Sequence, residues 1–115
     1  MTPKELRART KRFAIDVIRL CRELPTTLDG RTTGGQLLRA ATSVAANYRA
    51  ACRGRSRAEF IAKLGVVLEE ADESLLWLEL INEAEVASGP KVEKLLKEAD
   101  ELTAIFTTSV KTAKG

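Results

Sequence analysis

Histidine is missing from the 115-residue chain. That absence removes the usual general base, the Ser-His and Cys-His nucleophile pairs and the commonest metal ligand. Aromatic residues are few: Phe13, Phe60, Phe106, Tyr48 and Trp77. A core must therefore be built from Leu, Ile, Val and Ala, which suits helices. No apolar run approaches the roughly 18 residues of a membrane span, and the opening MTPKELRARTKRF has no apolar signal segment. A soluble, cytoplasmic protein without a membrane partner is expected. The two cysteines, Cys21 and Cys52, lack C-x-x-C spacing; a disulfide is open to them, but free buried thiols in a reducing compartment are the expectation. Gly34-Gly35 lacks the Lys-Ser/Thr of a phosphate-binding P-loop. The acidic cluster Glu69, Glu70, Asp72 and Glu73 lacks the Glu-x-x-His of a dimetal bundle site. The sequence thus offers no catalytic residue, metal site or cofactor motif, and a non-enzymatic role is expected.

What is present begins with charge. Hydrophobic residues make up 44% and charged residues 30%, the composition of a single globular domain rather than a disordered chain. The net charge of +3 hides an asymmetry. Residues 1–63 carry fourteen Lys/Arg against five acids, whereas residues 64–115 carry five lysines against eleven acids. Every arginine lies at or before Arg57. Guanidinium is the better fork for phosphate or carboxylate, so this half is the one to inspect for an anionic partner.

Four helices account for the chain. Thr2-Pro3-Lys4-Glu5 is a capping box with Pro at the first helical position, and Leu6, Phe13, Val17, Leu20 and Leu24 follow as one stripe to Pro25. PTTLDGRTTGG reads as a long loop. A second, alanine-rich helix is expected over residues 36–53, ending near Gly54. Ser56 and Glu59 open a third helix to about residue 87. After Ser88-Gly89-Pro90 a fourth runs to about residue 112, with a stripe of Val92, Leu95, Leu96, Ala99, Leu102, Ile105 and Phe106. The first helix is expected to span 3–24. No segment reads as a strand, so the fold class is all-α, an antiparallel four-helix bundle. In the third helix Leu64, Val67, Leu68, Ala71, Leu75 and Leu78 make the inward stripe. Val66, Trp77 and Leu80 lie elsewhere, an apolar surplus that suggests an oligomer interface. Asn47, polar in an alanine-rich helix, is expected to make a buried hydrogen bond between helices.

The segment QLLRAATSVAANYRAACRGRSRAEFIAKL resembles the signature of the four-helix bundle protein family, also called the 23S rRNA intervening-sequence protein family. The matching positions are Gln36, Leu37, Arg39, Ala40, Ala41, Ser43, Ala46, Asn47, Ser56, Glu59 and Phe60. Two departures stand out: Arg49-Ala50 replaces the family's Glu-Gly, and Glu69-Glu70 replaces its Gly-Ser. The resemblance implies a homopentameric ring, bacterial genes and, in some cases, a location within intervening sequences of ribosomal RNA genes. It also implies kinship with the accessory protein of diversity-generating retroelements, in which a basic pentamer binds a reverse transcriptase and nucleic acid.

Two functions remain open at this level. In the first, Arg49, Arg53, Arg55 and Arg57, with Lys4, Arg7 and Lys11 on one face of the first helix, form a surface for RNA or DNA, with RNA favoured. Few aromatics stand among them, so backbone contact rather than base stacking is expected. In the second, Arg39, Arg49 and Arg53 pair with Glu69, Asp72, Glu73 or Glu79 of a neighbouring helix or subunit. The molecule is then a homo-oligomeric scaffold for an unidentified protein.

Overall fold

Thr2 accepts the Glu5 amide on its hydroxyl at 3.1 Å, and Glu5 returns a carboxylate to the Thr2 amide at 3.3 Å. This closed capping box starts α1 (Pro3–Cys21) in a computed structural model that describes residues 1–115. Three further helices follow: α2 (Leu28–Cys52), α3 (Arg57–Glu83) and α4 (Pro90–Lys114). They form an antiparallel bundle 44 Å long and 19 Å across. Each helix packs on the next in the chain, and α4 returns to α1. The α2–α3 seam is the most extensive and the α1–α4 seam the thinnest.

The core follows the stripes. Leu6, Phe13, Val17 and Leu20 of α1 meet Leu37, Ala41, Val44 and Tyr48 of α2, Leu64, Val67, Ala71 and Leu78 of α3, and Val92, Leu95, Ala99, Leu102 and Phe106 of α4. The rings of Tyr48 and Phe106 tilt together at 5.4 Å, an arrangement worth about 0.5–1.5 kcal/mol beyond area burial. Leu68, Leu75, Leu96 and Ile105 flank this core half-buried. No buried side-chain polar atom lacks a partner.

The second helix begins well before the expected residue 36. Thr27 caps it, accepting the Gly30 amide at 3.2 Å, and Arg31 donates to the Thr26 carbonyl at 2.7 Å. The glycines here serve close approach rather than a turn. A Cβ on Gly30 would lie 2.1 Å from the Pro25 carbonyl oxygen, and one on Gly34 would lie 2.8 Å from a Leu24 methyl. Packing of the connection onto α2 outweighs the roughly 1 kcal/mol of helix propensity that each glycine forfeits.

Two other ends also differ from expectation. The first helix stops at Cys21 rather than 24, because Pro25 disfavours helical backbone just before it, and the Glu23 and Leu24 amides close onto Leu20 and Cys21 instead. The third ends at Glu83 rather than 87. Glu85 takes a φ of 59°, the Val86 amide reaches the Ile81 carbonyl at 2.9 Å and the Glu85 amide reaches Asn82 at 3.2 Å, the Schellman pattern that ends helices. At the C-terminus α4 continues to Lys114, slightly beyond 112.

Candidate nucleic-acid interface

The last turn of α2 sets the site. Arg49 and Arg53 lie one turn apart, so both project from the same side as the helix ends, and Gly54 then turns the chain into Arg55 and the Ser56 cap of α3. Ser56 accepts the Glu59 amide at 3.1 Å, and the Glu59 carboxylate folds back onto the Arg55 amide at 2.7 Å. Alanines at 46 and 50 keep the surface between these cations low. On the other side of α2, α1 presents Arg7 and Lys11.

Three depressions follow one another across this surface. The first, of about 430 Å³ between α1 and α2, is lined by Ala14, Ile15, Ile18, Ala45 and Ala46 with Arg7, Lys11 and Arg49. A smaller one of about 330 Å³ is lined by Arg7, Arg49, Cys52 and Arg53. The third, of about 560 Å³ between α2 and α3, is lined by Arg49, Arg53, Arg55 and Lys63 with Glu59 and small residues. Arg7 and Arg49 are shared by the first two, and Arg49 and Arg53 by the last two. The cations therefore form one band.

None of Arg7, Lys11, Arg49, Arg53, Arg55 and Lys63 has a carboxylate within ion-pair distance. Glu59 is the single acid lining the band, and its captured oxygen serves the Arg55 backbone. The ion pairs lie elsewhere. Arg9 clasps Glu98 through two nitrogens at 2.8 and 2.6 Å and reaches Glu101 at 2.7 Å. These hydrogen bonds, Glu98 foremost, raise its pKa further. Lys91 holds Glu23 at 2.7 Å. The Arg9 contacts tie α1 to α4 and cancel part of the charge asymmetry between the two halves of the chain, whereas the Lys91 contact ties α4 to the turn after α1 and runs the opposite way.

The residues singled out in the sequence divide accordingly. Arg7, Lys11, Arg49, Arg53 and Arg55 come together. Lys4 is exposed in the first turn of α1 and lines none of the three depressions. Arg57 leaves the group: its guanidinium donates to the Ala113 carbonyl at 2.6 Å and fastens the end of α4. Of the arginines expected to pair with the acids of α3, only Arg39 does so, with Glu70 at 3.0 Å and with Glu73. Arg49 therefore does not meet Glu69 or Glu70 within the chain. Lys63 was not among the expected residues. Its spacing from Glu59 on one face of a capped helix was the available signal.

Asn47 bonds within its own helix, donating to the Ser43 carbonyl at 2.9 Å, rather than between helices; a side chain that reaches back one turn finds its acceptor locally. Both cysteines are free and half-buried. Cys21 donates to the Gly34 carbonyl at 3.4 Å, and burial raises its thiol pKa. On α3, Val66, Leu76 and Leu80 are 36%, 48% and 41% exposed. Trp77 instead packs partly against the core. No helix is long and apolar enough to cross a membrane.

The 23S rRNA-intervening sequence protein family matches residues 5–108. The chain belongs to that family. A crystal structure of a protein of unknown function from the S23 ribosomal protein family of Bacteroides thetaiotaomicron VPI-5482 superposes with a TM-score of 0.86 at 30% sequence identity. The match covers 96% of this chain and 99% of that one. Among curated proteins no relative matches the sequence.

Proposed function

We propose that this member of the family is a non-enzymatic, cytoplasmic RNA-binding protein that works as an oligomer, a ring of five as the family resemblance implies. The observation that carries this reading is the band of unpaired cations from Lys11 through Arg7, Arg49 and Arg53 to Arg55 and Lys63. Unpaired guanidinium and ammonium groups along a groove recruit phosphates and release counterions, which gives affinity with little sequence preference. The absence of aromatics from the lining favours backbone contact over base stacking. In a ring the band would be repeated on every subunit, and affinity would rise through multivalency. The test compares binding of generic single- and double-stranded RNA and DNA by the wild-type protein and a triple variant, Arg7→Gln with Arg49→Gln and Arg53→Gln. Loss of RNA binding with oligomeric mass unchanged by light scattering supports the reading; unchanged binding rejects it.

A separate observation bears on assembly. Leu76 and Leu80, one turn apart, leave a short exposed apolar strip on α3, with exposed Val66 nearer the start of the helix and exposed Glu69, Asp72 and Glu79 nearby. This strip is the proposed contact between subunits, and it serves the first reading as well as a protein-binding one.

A further inference from the structure

The middle depression differs from its neighbours. Only four residues line it, and three are arginines: Arg7 from α1, Arg49 from α2 and Arg53 from the cap that ends α2, around the Cys52 thiol. No carboxylate lines it, and none of these guanidiniums donates a hydrogen bond within the protein or pairs with an acid. Each fork is thus free to donate. The two flanking grooves differ: one has a largely apolar lining, and the other contains Glu59.

Charge matching decides what fits. A phosphodiester within a strand carries one negative charge and two free oxygens. A phosphate monoester carries about −1.5 to −2 at neutral pH and has three strong acceptor oxygens. Three guanidinium forks can serve three such oxygens, with charge-assisted hydrogen bonds of the stronger kind. The helix dipole adds a requirement. The C-terminal end of α2 presents roughly half a negative charge at Cys52–Arg53 and opposes any anion there. One arginine would leave only about half a positive charge, whereas three leave roughly two and a half, enough to match a monoester dianion.

We infer that Arg7, Arg49 and Arg53 form a seat for a phosphate monoester, such as the 5′-phosphate end of an RNA strand, within the broader band. This deepens the RNA-binding reading and rests on it for the source of the phosphate. The recognition chemistry itself stands on the three arginines. In the seated arrangement a strand end is fixed beside Cys52 and its backbone runs outward along one flanking groove.

The test uses methyl phosphate and dimethyl phosphate as probes of monoester and diester, titrated against the full chain at constant ionic strength and followed through the arginine side-chain NMR resonances. Methyl phosphate is expected to saturate and to bind about tenfold tighter than the diester, as befits its additional charge and third acceptor oxygen. Arg7→Gln should abolish the preference, whereas Arg57→Gln, whose guanidinium lies at the end of α4, should retain it. Equal binding of the two probes, or no saturable binding of methyl phosphate, overturns the seat. A second arm compares one RNA sequence with a 5′-phosphate and with a 5′-hydroxyl. Tighter binding of the phosphorylated strand assigns the seat to strand ends. Equal, salt-sensitive binding of both strands rejects strand-end recognition but leaves the cation band standing. If neither strand binds while methyl phosphate does, the RNA reading fails and the seat belongs to a small phosphorylated molecule.

Discussion

Arg39 donates to Glu70 at 3.0 Å across the α2–α3 seam, whereas Arg49, further along the same helix, meets no acid at all. Two arginines of one helix thus have different work, one structural and one free for a ligand. Arg39→Ala should lower stability only slightly, because the guanidinium is exposed and its ion pairs are screened by solvent. Arg49→Ala should leave stability within about 0.5 kcal/mol. Urea unfolding of both variants at low and high salt checks the contrast, and the Arg39 effect should shrink with salt.

The glycines of α2 separate in the same way. Gly30→Ala places a methyl 2.1 Å from a backbone oxygen of Pro25 and should destabilise by about 1–3 kcal/mol. Gly35 faces open space, so Gly35→Ala should stabilise by about 0.5–1 kcal/mol through helix propensity alone. Thermal melts of the two variants should move in opposite directions.

Tyr48 is the single tyrosine, so absorbance of its phenolate can be followed without interference from others. Burial, assisted by the neighbouring Cys52, pushes its pKa up to about 12, against an ordinary value of about 10. The folded protein holds the neutral phenol while the unfolded chain ionises. Stability is therefore full below about pH 10 and falls as pH rises from there through about 12. Native protein should show a phenolate midpoint well above that of the chain in denaturant, with the rise in absorbance accompanied by loss of helical ellipticity.

The apolar strip on α3 makes a prediction about assembly. Leu76→Glu with Leu80→Glu places charge on side chains that are 48% and 41% exposed, so the isolated bundle should tolerate both. If the strip is the subunit contact, mass by light scattering should fall to that of the monomer while circular dichroism stays unchanged. An unchanged oligomer rules the strip out.

Much of this was legible in the sequence. The stripes of α1 and α4 fall on the core because period and burial coincide there, and Thr2 and Ser56 cap where they were read. The start of α2 was hidden because Thr, Asp and Gly compose turns as well as helix ends. The close approach of Pro25 and Leu24, which the sequence does not show, explains why glycine stands at positions 30 and 34 inside this helix. The basic cluster was legible as composition, but its membership was not. Arg57 is withdrawn by Ala113, a residue 56 positions away in sequence, and Lys63 is added by the α2–α3 apposition. Both depend on which chain ends the bundle brings together, and local spacing does not encode that.

The salt dependence of RNA affinity tests the central claim most directly. A band that neutralises several phosphates predicts a linear fall of log affinity with log salt, with a slope of about −0.7 for each contact on a single strand. Arg49→Gln with Arg53→Gln should reduce the magnitude of that slope by roughly 1.4 while the oligomer persists. A slope near zero, or one that the two substitutions leave unchanged, would contradict a phosphate-binding band and leave the arginines to a protein partner.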